Sequence, residues 1–207
     1  MNNYILASVA LVKLGTLAIK KLLMNLIGGV TMIYYNNDNL LIRSMIKSDI
    51  ENLVHGFAEQ NWHKPYELFN DYYNQQENNE RLVIIAEIKG DVAGYVTLLP
   101  CTKVGPFAHK NIPEIVDFNV LIKYQKRGIG NKIMDVVESL AKEKSDFVSL
   151  SVGLHYGYGS AQRMYVKRGY IPDGTGVWYN GSQLEQYAKC ENDDDLTLYF
   201  LKSFYRA

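Results

Sequence analysis

After Met32 the hydrophobic positions switch between a period of two and a period of about 3.6, and each switch predicts an element. Asn39 to Met45 (NLLIRSM) alternates and predicts a first strand. Ser48-Asp49-Ile50-Glu51 has the Ser-x-x-Glu spacing of a capping box, and Ile50, Leu53, Val54, Phe57 and Ala58 continue one helical stripe to about Gln60. A second helix is predicted from about Pro65, carrying Leu68, Phe69, Tyr72 and Tyr73. Leu82 to Ile88 and Val92 to Leu99 flank Lys89-Gly90-Asp91 and predict a hairpin. Glu114 to Ile122 reads as a strand, and Asn131 to Glu143 as an amphipathic helix with Ile133, Met134, Val137, Leu140 and Ala141 on one stripe. Phe147 to Leu154 reads as a buried strand and Ser160 to Arg168 as a short helix. Strands recur at Gly176 to Tyr179 and at Leu196 to Leu201.

The predicted order is therefore β-α-α-β-β-β-α-β-α-β-β. A hairpin followed by a βαβ unit implies an α/β domain with a mixed sheet and helices packed on it. A dinucleotide fold is not indicated, because the glycine loop follows the fourth strand and no GxGxxG occurs.

Composition narrows the function classes. The 207 residues suffice for one domain with a substantial core, and 47% apolar and 21% charged residues are globular values. Lys plus Arg and Asp plus Glu number 22 each, so no global field favours nucleic acid or an anionic membrane. Cys101 and Cys190 show no metal-ligand or CxxC spacing and read as reduced thiols of a cytoplasmic protein. Residues 1–31 stand apart from the expected domain at 32–207. They are rich in Leu, Ile, Val and Ala, but the uninterrupted run from Tyr4 to Val12 is shorter than the roughly 20 residues a bilayer span needs. A docked helix, an interfacial helix and translated sequence upstream of the true start all fit this segment.

The chemistry is carried by YQKRGIGNKI, Tyr124 to Ile133. It joins a predicted strand to an amphipathic helix whose first backbone N–H groups have no partner within the helix. Such a helix entrance binds anions, and Gly128 and Gly130 would let a pyrophosphate approach the main chain, with Lys126 and Arg127 adding charge. A second tract, SAQRMYVKRGY, places Ala161, Met164 and Tyr165 on one stripe and stops at Gly169. In this order, the Gln125-x-x-Gly128-x-Gly130 loop and the Ala161-x-x-x-Tyr165-x-x-x-Gly169-Tyr170 tract resemble the GNAT superfamily of N-acetyltransferases, which use acetyl-coenzyme A. The resemblance covers roughly Leu41 to Tyr205.

The resemblance implies a single domain around a mixed, mostly antiparallel sheet of six to seven strands with helices on both faces. The strands Glu114–Ile122 and Phe147–Leu154 would splay apart to admit acetyl-coenzyme A as co-substrate, with no metal. Phe118 would offer a backbone N–H to the thioester oxygen. Main-chain groups of Val120 and Ile122 would pair with the pantetheine arm, and amides from Gln125 through Lys126, Arg127, Gly128, Ile129 and Gly130 to Asn131 would hold the pyrophosphate. Tyr165 matches the tyrosine that returns a proton to the departing sulfur. Glu114, eleven residues before Gln125, matches the general base of some members, with Asp117 competing from the opposite parity of a regular strand. His155 and Tyr158 are further candidates, and Tyr158 replaces an Asn found in many relatives.

The expected acceptor is an amine of a small molecule or a protein. Trp62, His63, Tyr66, Tyr72, Tyr73, Trp178 and Tyr179 are its candidate contacts, and ENDDD at 191–195 could draw a cation. No nucleic-acid or membrane partner is expected, and a homodimer is left open. Neither cysteine falls in the matched cofactor strands, which favours direct transfer over a thiol intermediate. The competing reading is a non-catalytic acyl-coenzyme A sensor.

Overall fold

The computed structural model describes residues 31–205, so the readings of the N-terminal segment fall outside the described residues. The chain enters on a hairpin of β1 (Ile33–Asn36) and β2 (Leu41–Ser44), turned by Asn37, whose side-chain oxygen accepts from the N–H groups of Asn39 and Leu40 at 3.0 and 2.7 Å. Helices α1 (Asp49–Ala58) and α2 (Tyr66–Glu77) follow, then the hairpin β3 (Leu82–Ile88) and β4 (Asp91–Leu99). Lys89 and Gly90 both take positive φ between the two strands, the primed-turn geometry that matches strand twist. Next come β5 (Glu114–Val120), α3 (Ile129–Lys142), β6 (Phe147–Gly153), α4 (Gly159–Lys167), β7 (Ile171–Tyr179), β8 (Ser182–Gln183) and β9 (Leu196–Ser203).

The nine strands of the described residues form one sheet in the order β1-β2-β3-β4-β5-β6-β9-β7-β8. The mixed α/β architecture is as expected, with two more strands than the hydrophobic pattern predicts. The additional strands are β1, half-exposed at the sheet edge, and β8, only two residues long; neither buries enough to leave a periodic signature. The Ser48–Glu51 capping box does not form, since Ser48 makes no side-chain cap. Asp49 is used instead: its carboxylate takes Arg43 at 2.6 and 2.9 Å and the N–H of Ile46 at 2.8 Å, binding the helix start to β2.

Seven consecutive residues of β4, Val92 to Leu98, are buried, which requires cover on both faces of the sheet. On one face Tyr95 meets Phe57 of α1 and Phe69 of α2 with ring centroids 6.0 and 5.5 Å apart. On the other lies α3, whose Ile133, Met134, Val137 and Ala141 are fully buried.

The parallel pair β5–β6 positions the site. These strands pair only at Glu114 with Ser149 and at Ile115 with Leu150, and no pairing joins them further along. β5 stays bound to β4 on its other side, and β6 to β9, so the sheet opens into a gap at its centre.

Candidate active site

The gap exposes backbone of β5 in a defined alternation. The N–H of Leu121 donates to Ala93 at 2.9 Å, and Asn119 pairs with Tyr95, so the main-chain groups of Val120 and Phe118 turn away from β4 toward β6. Two side-chain amides meet this edge. Gln125 Nε2 donates to the carbonyl of Val120 at 2.9 Å, and the N–H of Ile122 donates to Gln60 Oε1, also at 2.9 Å. Ile122 itself lies past the strand end, in a short turn spanning Ile122–Tyr124.

The loop after this turn forms a backbone cradle ahead of α3. Lys126 and Gly128 both have positive φ, at 60° and 79°. The first helical bond of α3 runs from the N–H of Lys132 to Gly128 at 3.1 Å, which leaves the amides of Ile129, Gly130 and Asn131 ahead of it, with no side-chain cap. The Gln125 amide is committed to the carbonyl of Ile122 at 3.1 Å, so the free donors begin after it. α3 starts two residues before the expected Asn131, and this places Gly130 in its first turn. The two glycines serve different ends. A Cβ on Gly128 would meet nothing, so its left-handed φ is the requirement there. A Cβ on Gly130 would stand 3.3 Å from Cζ of Phe118, so Gly130 sets how closely α3 approaches β5.

The cradle and the gap line one cleft of about 730 Å³, bounded also by Trp62, His155, Tyr158, Met164 and Asp194. An adjoining hollow of about 530 Å³ carries Arg163, Lys167 and Arg168. Arg168 is tied to Asp135 and Glu138, each at 2.8 Å, while Arg163 and Lys167 are exposed.

β5 is not a regular strand. Its register with β4 shifts between Tyr95 and Thr97, and Asp117 takes φ 49° at the bulge. The parity argument that set Glu114 against Asp117 therefore fails, because alternation breaks between them. The Asp117 carboxylate gathers Lys64 Nζ at 2.7 Å, Tyr72 OH at 3.0 Å, Asn119 Nδ2 at 2.8 Å and the Tyr95 hydroxyl. With its oxygens committed to these donors, Asp117 is an ionic anchor rather than a free base. Burial first, and then the Asp117 charge, raise the Tyr72 and Tyr95 phenols.

The profile of the Acetyltransferase (GNAT) family matches residues 48–170. The chain belongs to that family. Solved structures of similar fold include the ribosomal-protein-S18-alanine N-acetyltransferase from Escherichia coli, at 13% identity and TM-score 0.57, over 81% of this chain and 96% of that one. A spermidine N-acetyltransferase chimera from Vibrio cholerae and hSSAT gives 12% and 0.58, over 80% and 96%. A ribosomal L7/L12 alpha-N-protein acetyltransferase in complex with coenzyme A gives 8% and 0.62, over 83% and 97%. No curated protein is similar enough in sequence to match.

For this GNAT acetyltransferase the remaining candidates fall in two groups. Glu114 sits at the closed end of the gap, 5% exposed, where burial raises its carboxyl against a Thr102 hydrogen bond and the Arg81 charge. Tyr165 is also 5% exposed, packs edge-on against Tyr170 at 5.8 Å, and its hydroxyl makes no hydrogen bond among the described residues. Burial, then Tyr158, raises its phenol, which keeps it protonated. Tyr158 and His155 stand at the cleft mouth with Asp194. The Gly157 N–H donates to His155 Nδ1 at 3.0 Å, so a neutral ring carries its proton on Nε2, 3.1 Å from Asp194 Oδ1. Tyr158 donates to the same oxygen at 2.9 Å. These bonds, His155 first, hold the Asp194 carboxyl below its usual range.

Of the aromatic residues proposed for the acceptor, Trp62 lines the cleft and Tyr72 joins the Asp117 network. His63 and Tyr66 are exposed on the α1–α2 loop and the first turn of α2. Trp178 is engaged with Thr175 and Tyr199, and Tyr179 with Asp193. Lys64 and Tyr95 went unrecognised in the sequence. Each looks like an ordinary surface or core residue until Asp117, 53 and 22 positions away, is folded against it. Among the described residues no cluster could hold a metal ion, and no helix is long and apolar enough to cross a membrane.

Proposed function

We propose that this acetyltransferase moves an acetyl group from acetyl-coenzyme A directly to a primary amine, with Glu114 as base and Tyr165 as acid. The observation that carries this reading is the opening of β5–β6 beside the uncapped N-terminus of α3. The residues fit the co-substrate. The amides of Ile129, Gly130 and Asn131 suit a pyrophosphate, with Lys126 and Arg127 adding charge from the loop, and the Val120 and Phe118 main chain suits a pantetheine arm lying as an added strand. Exposed Arg163 and Lys167 add positive charge where a polyanionic nucleotide would extend. When bound, acetyl-coenzyme A supplies the activated acyl group.

The chain's own part is positioning and proton transfer. The Phe118 N–H faces the gap as a donor for developing negative charge on the acyl oxygen. Glu114, with its affinity for protons raised by burial, accepts one from the amine directly or through water. Tyr165, kept neutral, donates to sulfur. Gln125 and Gln60 satisfy the strand edge in the free protein and give way as the added strand pairs. Screening primary amines for release of free thiol from acetyl-coenzyme A, alongside calorimetric titration of the cofactor, tests the reading. Absence of cofactor binding at millimolar concentration defeats it, and binding without thiol release from any amine would leave only a sensor.

A further inference from the structure

The Lys64 side chain is placed as a ligand would be. Its ammonium lies 2.7 Å from Asp117 Oδ1 and 2.9 Å from Tyr95 OH. The rings of Phe57, Trp62 and Tyr95 surround it at 5.2, 5.3 and 5.5 Å from nitrogen to centroid. Only 11% of the Lys64 side chain and 17% of that of Asp117 reach solvent. A lysine on a short connection between helices ordinarily extends its charge into water; here it is turned inward into an acid lined with aromatic rings.

Apart from Trp62, which shares the connection that carries Lys64, the pocket belongs to the fold rather than to the loop that fills it. Asp117 is fixed by the β5 bulge, Tyr95 by the centre of β4, and Phe57 and Tyr72 by α1 and α2. Lys64 comes from residues 59–65, the connection between those helices. The pocket also adjoins the cleft: Phe118 and Asn119, the residues after Asp117, line it, as does Trp62. The Asp117 charge reaches the Tyr158 phenol across the cleft, and the Lys64 charge reaches Asp194.

We infer that Asp117, Tyr95, Tyr72, Phe57 and Trp62 form a binding site for a primary alkylammonium ion, and that Lys64 is its intramolecular occupant, standing where an acceptor's ammonium binds. The inference rests on the acetyltransferase reading for its purpose, but the site is defined without it. Exchange is chemically even. An incoming alkylammonium restores the charge on Asp117, the hydrogen bond to Tyr95 and the cation–π contacts, so displacing Lys64 leaves no buried acid unpaired. The selectivity follows from the donors. A quaternary ammonium meets the rings but cannot donate to Asp117 or Tyr95, and an alcohol fills the space without the charge.

The test uses the full chain carrying Lys64→Ala, which removes a propylammonium group and leaves the rest of the site. Propylammonium chloride is titrated against equal potassium chloride, tetramethylammonium chloride and propanol, without acetyl-coenzyme A, and the thermal midpoint is read. The expected result is a rise of about 4 °C at a concentration about ten times the Kd, for propylammonium alone. It should vanish in Lys64→Ala/Asp117→Asn. Equal stabilisation by propanol, equal stabilisation by tetramethylammonium, or no response at about 100 mM overturns the site. If Lys64→Ala does not fold, recovery of fold in propylammonium but not in potassium chloride supports it, and failure to recover overturns it. Tighter binding of a linear diamine than of a lysyl peptide points to a small polyamine acceptor, and the reverse to a protein lysine. The failure of transfer activity would leave these binding outcomes untouched.

Discussion

Glu114 faces Leu99 on one side and Ser149 on the other, paired into the sheet by both neighbours one residue before Ile115–Leu150, the last pair ahead of the point where β5 and β6 part. A carboxyl held this way gives up most of its water, and its pKa rises because the charged form loses more by burial than Thr102 and Arg81 return. The same placement fixes its backbone on both sides. With Glu114 as the proposed base, stability and catalysis pull apart at this residue.

Glu114→Gln therefore has two expected effects. A folded pKa above the unfolded value means that the native state is favoured by proton uptake. This contribution is complete below the unfolded pKa and is lost as pH rises through the folded one. At neutral pH the wild-type carboxylate is a cost that Gln removes, so the thermal midpoint rises while kcat falls by about 100-fold or more. The acidic limb of the wild-type kcat profile lies above the ordinary carboxylate range, and the variant loses it. Melting curves and pH-rate profiles check both; unchanged kcat excludes Glu114 as the base.

Tyr165→Phe tests the proposed acid. The Tyr165 hydroxyl has no hydrogen-bond partner among the described residues, so its loss strands no donor or acceptor there, and the ring contact with Tyr170 remains. Stability stays within about 1 kcal/mol of wild type. At saturating acetyl-coenzyme A, kcat falls by about 100-fold with little change in the cofactor KM. Unaltered turnover removes Tyr165 from the mechanism.

The elements that carry these residues were legible because their signals are local. The α3 stripe, the Gly169 stop of α4 and the Lys89-Gly90 hairpin each follow from neighbours a few positions apart. The glycine loop was legible in kind, though only geometry separates the φ requirement at Gly128 from the close approach at Gly130. The Asp117 bulge was not legible, since left-handed backbone at an Asp inside a strand pattern leaves no periodic mark. Nor was the Lys64–Asp117 pair, which depends on how the α1–α2 connection folds back over β5. The capping box misled because Ser48 already takes helical backbone angles and makes no side-chain cap, while the helix start is held by Asp49 through Arg43 of the neighbouring strand.

Asp194 offers an electrostatic test of the acceptor side. It lines the cleft, is held ionised by His155 and Tyr158, and is about two-thirds exposed. Water and salt screen a charge so placed, so Asp194→Asn should raise the KM of a cationic amine only about two- to fivefold at low ionic strength. The difference should shrink toward none in about 0.5 M salt. A penalty that persists in high salt would show that Asp194 contacts the amine directly rather than attracting it.

The glycine loop separates main-chain access from side-chain charge. Gly128 has φ 79° with open space around its missing Cβ, and Asp is among the residues that tolerate this region, so Gly128→Asp should fold at a cost of about 1 kcal/mol. It would then set a carboxylate beside the amides of Ile129, Gly130 and Asn131, where the proposed function places the pyrophosphate. Lys126 is exposed, with its charge in solvent, and Lys126→Ala removes an attraction that water already weakens. The expected cofactor KM rises about tenfold or more for Gly128→Asp and about two- to threefold for Lys126→Ala. Measured at constant amine, equal effects would mean that basic side chains make the site. A large excess for Gly128→Asp would mean that the bare backbone does.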